Sequence, residues 1–331
     1  MDSRLALAIT ILSAFLSVFL YRQIRLSLED IQYTPEEHTF TPARTGPTAQ
    51  EGQIFSKPVY GINSFPGSRQ LRTIYGTIHV FEWGPEDGEK VLLVHGLGTP
   101  CIALGGMAKE LVRKGYRVMI YDLFGRGYSD APNDLVFDAR LYTTQVLLVL
   151  SSPLPWTGTS AFHIIGFSLG GSIAVAFAAY HAAMLRSVAL WTEDDLAFDD
   201  VPIAEDRPHV TVGDVIRWQL RANAGFVQSY LSTLRSALVY RRHDRTWRIL
   251  TDELAKRRAV KSLPGLPGGK ICLIVAKRDI IVVGDECASD AAEMLGTDAV
   301  EIHVLSGGHV IAISRSRDVI SIATGFWNKQ L

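Results

Sequence analysis

Three residues, met in the order Ser168, Asp279 and His309, are of the types that could do covalent chemistry together. A serine hydroxyl is a weak nucleophile unless a base takes its proton and a third group orients that base. Ser168 lies in GFSLGG (166–171), between the apolar run FHII and the helix-like SLGGSIAVAFAAY. ICLIVAKRDIIV puts Asp279 just past another apolar run, 111 residues after Ser168, and VEIHVLSGGHVI puts His309 just past the next, 30 residues further on. The chemistry this order would serve is acyl transfer through a serine ester. A lone Gly-x-Ser-x-Gly is weak, and the surroundings must carry the argument.

Those surroundings are specific. A sharp strand-to-helix turn crowds its own backbone, which calls for small residues on both sides of the serine, here Gly166 and Gly170. Such a turn also sets Ser168 at a helix N-terminus, where free N–H groups favour developing negative charge. LLVHGLGT (92–99) closes a buried run with His95-Gly96-Leu97-Gly98, a turn able to present a backbone N–H beside Ser168 and, with the N–H of Leu169, to form an oxyanion hole. YDLFGRGYSD (121–130) ends the following run in a glycine-rich turn, which Asp122 and Asp130 are expected to stabilise. Alternatives stand beside these assignments. Ser168 could be a helix N-cap, and WTEDD offers Asp194 and Asp195 as rival acids after another strand. His303 and His163 lie within strands and read as packing residues, His95 as an organiser of its loop, and Cys101 as no nucleophile for want of a base.

The elements that must position these groups follow from apolar patterning. Short apolar runs recur at Val91–Val94, Val118–Tyr121, Ala161–Ile165, Val188–Trp191, Ile271–Ala276 and Val300–Leu305. Helical patterns separate them at Met107–Lys114, Ala139–Leu150, Ser168–His181 and Asp290–Leu295. Continuous apolar strands alternating with helices predict a mostly parallel sheet covered on both faces. Leu71–Tyr75 and Ile78–Trp83, broken at Gly76, predict an antiparallel start to that sheet. The alternation fails over 196–266, which is arginine-rich and amphipathic at Val212, Val215, Ile216 and Leu220; it predicts an inserted helical cap.

Taken together, the four motifs resemble the serine-nucleophile branch of the α/β-hydrolase superfamily over roughly residues 71–327. The resemblance implies an α/β-hydrolase fold: a mostly parallel sheet flanked by helices, with a helical cap insertion. It makes Ser168 the nucleophile, His309 the base and Asp279 its partner, with Leu97 and Leu169 giving the oxyanion N–H groups and with no cofactor or metal required. Val282 stands where the acid motif often has proline, which keeps Asp194 open as the acid. The implied organisation is 71–195 and 267–331 as the two parts of the core, 196–266 as the cap and 26–70 as a linker or surface arm.

Composition bounds the rest. Lys and Arg total 33 against 34 Asp and Glu, a balance that gives no electrostatic reason to expect a nucleic-acid partner. Three cysteines fit neither a metal spacing nor a disulfide framework. Apolar content of 47% and a mean hydropathy of +0.15 support a sizeable core. Leu5–Tyr21 is uncharged and has poor cleavage sites, so residues 1–25 read as an N-terminal hydrophobic helix anchoring the chain in a membrane, with a signal segment as the alternative. Arg22 and Arg25 after it place the catalytic part in the cytosol, and the short span suits the endoplasmic reticulum; a cleaved segment would mean secretion. The expected substrate is a small hydrophobic ester, thioester or lactone. A non-hydrolytic member of the same fold, binding a ligand or catalysing condensation or cyclisation in a secondary-metabolite pathway, is the alternative, and the anchored, capped layout is similar to fungal hydrolases of such pathways.

Overall fold

The apolar runs become the strands of one sheet. The structure, a computed structural model, describes residues 58–192, 198–236, 244–276, 284–306 and 311–330. In chain order the first elements are β1 (Ser68–Thr73), β2 (Gly76–Trp83), β3 (Lys90–Val94), α1 (Gly105–Arg113), β4 (Arg117–Tyr121) and α2 (Ala139–Val149). Then come β5 (Phe162–Phe167), α3 (Leu169–His181), β6 (Leu185–Thr192), α4 (Val212–Ala222), α5 (Phe226–Arg235) and α6 (Asp244–Ala259). The chain finishes with β7 (Ile271–Ala276), α7 (Gly284–Leu295), β8 (Val300–Leu305), α8 (Ile311–Ser314) and α9 (Ser316–Asn328). The eight strands pair in the order β1-β2-β4-β3-β5-β6-β7-β8. β1 runs antiparallel to β2 and β2 to β4, and every later pairing is parallel.

Because helices cover both faces of the parallel part, its inner strands are largely apolar on both sides and alternate between two cores, whereas the edge strand β8 carries the paired Glu301 and His303 on one face. Leu92 and Val94 of β3 pack with α3 through Ile173 and Phe177, while Val91 and Leu93 pack with α1 and α9 through Met107, Leu111 and Ile320. Helix α3 is apolar on all sides and almost wholly buried, as a helix in the centre of such a sandwich must be.

The stretch 196–266 contributes to two places. Helices α4 and α5 hydrogen-bond to the loops at the carboxyl ends of β3 and β4. Helix α4 begins in a capping box: the Thr211 hydroxyl accepts the Asp214 N–H at 3.1 Å, and the Asp214 carboxylate accepts the Thr211 N–H at 3.0 Å. Helix α6 instead lies against α3, adding Leu250 and Leu254 to the core on that face. Of its arginines, Arg245 and Arg248 face solvent, whereas Arg257 turns inward and donates to the carbonyls of Pro264 and Gly265. Two residues of the polar stretch before β1, Tyr60 and Phe65, are buried, and Tyr60 meets Tyr128 and Trp218 edge-on. Among the described residues no helix is long and apolar enough to cross a membrane. The run Leu5–Tyr21 lies outside the described residues.

Candidate active site

Ser168 occupies the single residue between β5 and α3, with φ 51° and ψ −118°. For a residue with a Cβ this is a sparsely populated, strained backbone, stable only where its surroundings hold it. The surroundings are two glycines that nothing larger could replace. A Cβ on Gly166 would lie 2.2 Å from the Gly170 carbonyl oxygen, and one on Gly170 would lie 2.1 Å from the Val94 carbonyl oxygen. The turn therefore needs direct backbone-to-backbone contact between β5, α3 and the end of β3. Ser168 precedes α3, yet its hydroxyl accepts no capping hydrogen bond. The N-cap reading thus lacks its defining contact, and the half-buried hydroxyl is left for other work.

The His95–Gly98 turn lies against this serine. A Cβ on Gly96 would come within 3.3 Å of the Ser168 Cβ and 3.1 Å of the Phe167 ring. Leu169 is the first residue of α3, so its N–H has no acceptor within the helix. No hydrogen bond from the Leu97 N–H reaches any described residue. Both N–H groups are thus without an acceptor among the described residues.

His95 is fully buried and organises the turn. Its Nε2 accepts the Leu123 N–H at 2.8 Å, so the ring proton resides on Nδ1, which donates to the Gly96 carbonyl at 2.8 Å. Burial pulls its pKa down to about 4, against the opposing pull of Asp122, and the ring is neutral at neutral pH. Asp122, also fully buried, accepts the N–H groups of Cys101 and Tyr128 and faces His79 Nδ1 at 3.4 Å. Burial opposes its charge, but the hydrogen bond and charge of His79, together with His95 and the Tyr128 N–H, hold its pKa below the ordinary aspartate value. Asp130 accepts the Thr77 N–H at 2.8 Å and so ties the glycine-rich turn to β2. Burial drives the Cys101 thiol well above its ordinary pKa, which leaves it no thiolate with which to attack.

Asp279, His309, Asp194 and Asp195 lie outside the described residues; Asp279 and His309 follow Ala276 of β7 and Leu305 of β8 by three and four positions. His303 is on the edge strand β8 and bonds Glu301 at 2.8 Å.

Two residues that motif reading passed over also reach this site. Arg126, fully buried, donates from Nε to the Leu97 carbonyl at 2.9 Å and from its terminal nitrogens to the Phe124 carbonyl at 3.2 Å and the Ser229 hydroxyl at 2.5 Å. Gln219, fully buried on α4, accepts the Gly127 N–H and donates to the Gly98 carbonyl, each at 2.9 Å. One signal was visible for Gln219: it lies four residues after Val215 and seven after Val212, on the apolar stripe of its helix. A glutamine there is a buried polar group in search of partners.

Comparison with known proteins agrees with the fold. The chain is 29% identical over 182 residues to 2-hydroxymuconate semialdehyde hydrolase of Pseudomonas putida, covering 54% of this chain and 56% of that protein. It is 32% identical over 117 residues to Lipase 1 of Psychrobacter immobilis, covering 35% of each. The matched stretches thus span less than two thirds of either relative. A solved carboxylesterase structure from the thaumarchaeon Nitrososphaera gargenis superposes with a TM-score of 0.58 at 16% identity, covering 80% of this chain and 100% of that one. The alpha/beta hydrolase family profile matches residues 91–322, from the middle of β3 into α9 and across both the Ser168 turn and the helices above it, and the chain belongs to that family.

Proposed function

We propose that this protein is a serine hydrolase that cleaves a small hydrophobic ester, thioester or lactone. The observation that carries the reading is Ser168 itself, strained at φ 51°, half-buried, free of any capping role and pressed against the His95–Gly98 turn. In this mechanism His309 takes the Ser168 proton as the oxygen attacks the substrate carbonyl. Asp279 holds the imidazole in the required tautomer and stabilises its charged form. The N–H groups of Leu97 and Leu169 receive the charge on the carbonyl oxygen, each donor of this kind being worth about 3–4 kcal/mol of barrier. The protonated His309 then gives its proton to the leaving alcohol or thiol. Water, deprotonated by the same histidine, releases the acid and restores Ser168. Relatives named as a lipase and a semialdehyde hydrolase support bond cleavage by water at a carbonyl carbon.

The uncharged run Leu5–Tyr21 supports an enzyme anchored at a membrane, on its cytosolic side, which draws on substrate dissolved in the bilayer. In that arrangement the anchor concentrates substrate and takes no part in the chemistry.

The test is labelling with a fluorophosphonate probe, alongside hydrolysis of p-nitrophenyl esters of rising chain length. The wild-type chain should be labelled once and should hydrolyse at least one ester, and Ser168→Ala should lose both properties. Undiminished labelling of Ser168→Ala would remove the assignment.

A further inference from the structure

Leu97 sits between two glycines, a setting in which peptide planes flip at little cost because glycine accepts both signs of φ. An oxyanion donor placed there needs pins from outside the turn. All the described peptide bonds are trans, so each N–H points opposite to the carbonyl of the same peptide plane. A donor that grips one carbonyl therefore aims the N–H that follows it.

Three consecutive carbonyls of this turn are gripped in that way, each by a different side chain. His95 Nδ1 holds the Gly96 carbonyl and aims the Leu97 N–H. Arg126 Nε holds the Leu97 carbonyl, fixing the plane on the other side of Leu97. Gln219 Nε2 holds the Gly98 carbonyl and fixes the next plane. The orientation of the Gln219 amide is dictated at both ends, because the Gly127 N–H must meet its oxygen and the Gly98 carbonyl must meet its nitrogen.

Two of these three pins depend on the inserted helices. Gln219 belongs to α4. Arg126 belongs to the glycine-rich turn, but its terminal nitrogens are held by Ser229 of α5 at 2.5 Å and Thr233 of α5 at 3.5 Å. The guanidinium lies 5.7 Å from the centre of the Phe226 ring. We infer that α4 and α5 do more than cover the site: through Gln219 and Arg126 they are positioning elements that set the oxyanion turn, so that seating of these helices and competence for catalysis are one event. The inference rests on the serine-hydrolase reading and adds residues that act through the Leu97 backbone.

An oxyanion donor acts on the transition state, so its misplacement lowers kcat with little change in KM. The full-length chain is compared with Gln219→Met and with Gln228→Met, which loses a bond from α5 to the Asn133 carbonyl that does not reach the turn. Rates are expressed per fluorophosphonate-labelled site and measured on p-nitrophenyl butyrate. Gln219→Met should lose about tenfold or more in kcat, with KM within about twofold, and its labelling rate should fall in parallel; Gln228→Met should match wild type. Equal effects in the two variants, or a rise in KM alone, would overturn the inference. Should Gln219→Met not fold, Gln219→Glu keeps the shape and the acceptor, and its carboxyl donates to the Gly98 carbonyl only while protonated. Its kcat relative to wild type should fall as pH rises, or stay low throughout, and a ratio of one from pH 5 to pH 9 would overturn the inference. A wild-type chain that neither labels nor hydrolyses any ester overturns the serine-hydrolase reading and this inference with it, whereas a labelled wild type beside an equally active Gln219→Met overturns this inference alone.

Discussion

Two ends of the sheet each hold a serine, and the backbone presents the two very differently. At the carboxyl ends of the strands stands Ser168. At the amino ends, Ser187 on β6 meets His163 Nδ1 on β5 at 2.7 Å, and His163 Nε2 faces Glu89 at 3.4 Å. By residue type that second group is a serine, a histidine and an acid in contact. Its setting is different in every other respect. Ser187 and His163 are paired across β5 and β6, just past a register shift, and are each 2% exposed, and the imidazole is stacked on Trp327 with centroids 3.9 Å apart. Burial lowers the His163 pKa, with Glu89 pulling the other way, and Glu89 is itself paired with Arg186. Ser187 has no strained turn to lift its oxygen, no helix N-terminus beneath it and no glycine turn beside it. On the serine-hydrolase reading, the backbone that presents a serine makes it reactive, and a hydrogen-bonded Ser–His–acid set without that backbone is packing.

Removing equivalent parts from each end of the sheet separates the two groups. Asp279→Asn should lower kcat by about four orders of magnitude, as the imidazole loses its orienting carboxylate. Glu89→Gln, at the matching place in the other group, should leave kcat unchanged. If Asp194→Asn proves the crippled variant in the same assay, the acid follows β6 instead of β7. Next in size is the Ser168 turn. Gly170→Ala places a methyl carbon about 2.1 Å from the Val94 carbonyl oxygen, so backbone must move. Denaturant unfolding should show a loss of about 3 kcal/mol, the upper range for overpacking, together with loss of fluorophosphonate labelling. A stable, fully labelled Gly170→Ala chain would mean that the close contact does not govern presentation of the serine.

A smaller effect is expected from His95. In the unfolded chain its pKa lies near the ordinary value of 6.5, and in the folded chain burial depresses it to about 4. Between these values the unfolded state holds a proton that the folded state refuses, so stability falls as pH falls through the window. From pH 7 to pH 5 the contribution is about 2 kcal/mol, at 1.36 kcal/mol per pKa unit. His95→Gln, which does not titrate, should lose that part of the pH dependence when urea midpoints are compared at the two pH values. The smallest change is expected for Ser187→Ala, about 1 kcal/mol for one buried hydrogen bond, with kcat unaltered. A large fall in kcat there would bring the second group into the chemistry.

Much of this architecture was written in the chain as a pattern. The six apolar runs between Val91 and Leu305 all became strands of the sheet, because inner strands covered on both faces must be almost continuously apolar and such runs stand out; the edge strand β8 tolerates Glu301 and His303. Gly166 and Gly170 were legible for a related reason: a turn with no room for a Cβ restricts residue type at the position itself. Periodicity is mute about partners, however. The amphipathic spacing of 196–266 is the same whether a helix rides over the strand ends, as α4 and α5 do, or packs on α3, as α6 does. Leu97 could be proposed as an oxyanion donor from its motif, but the side chains that hold its turn could not be read there. Arg126 and Gln219 are 29 and 122 positions away from it. Strained turns and buried strands are readable locally, since sterics and hydrophobic period act over a few residues. The distant side chains that pin such a turn emerge only in the folded molecule, because hydrogen-bond partners are chosen by proximity across the chain.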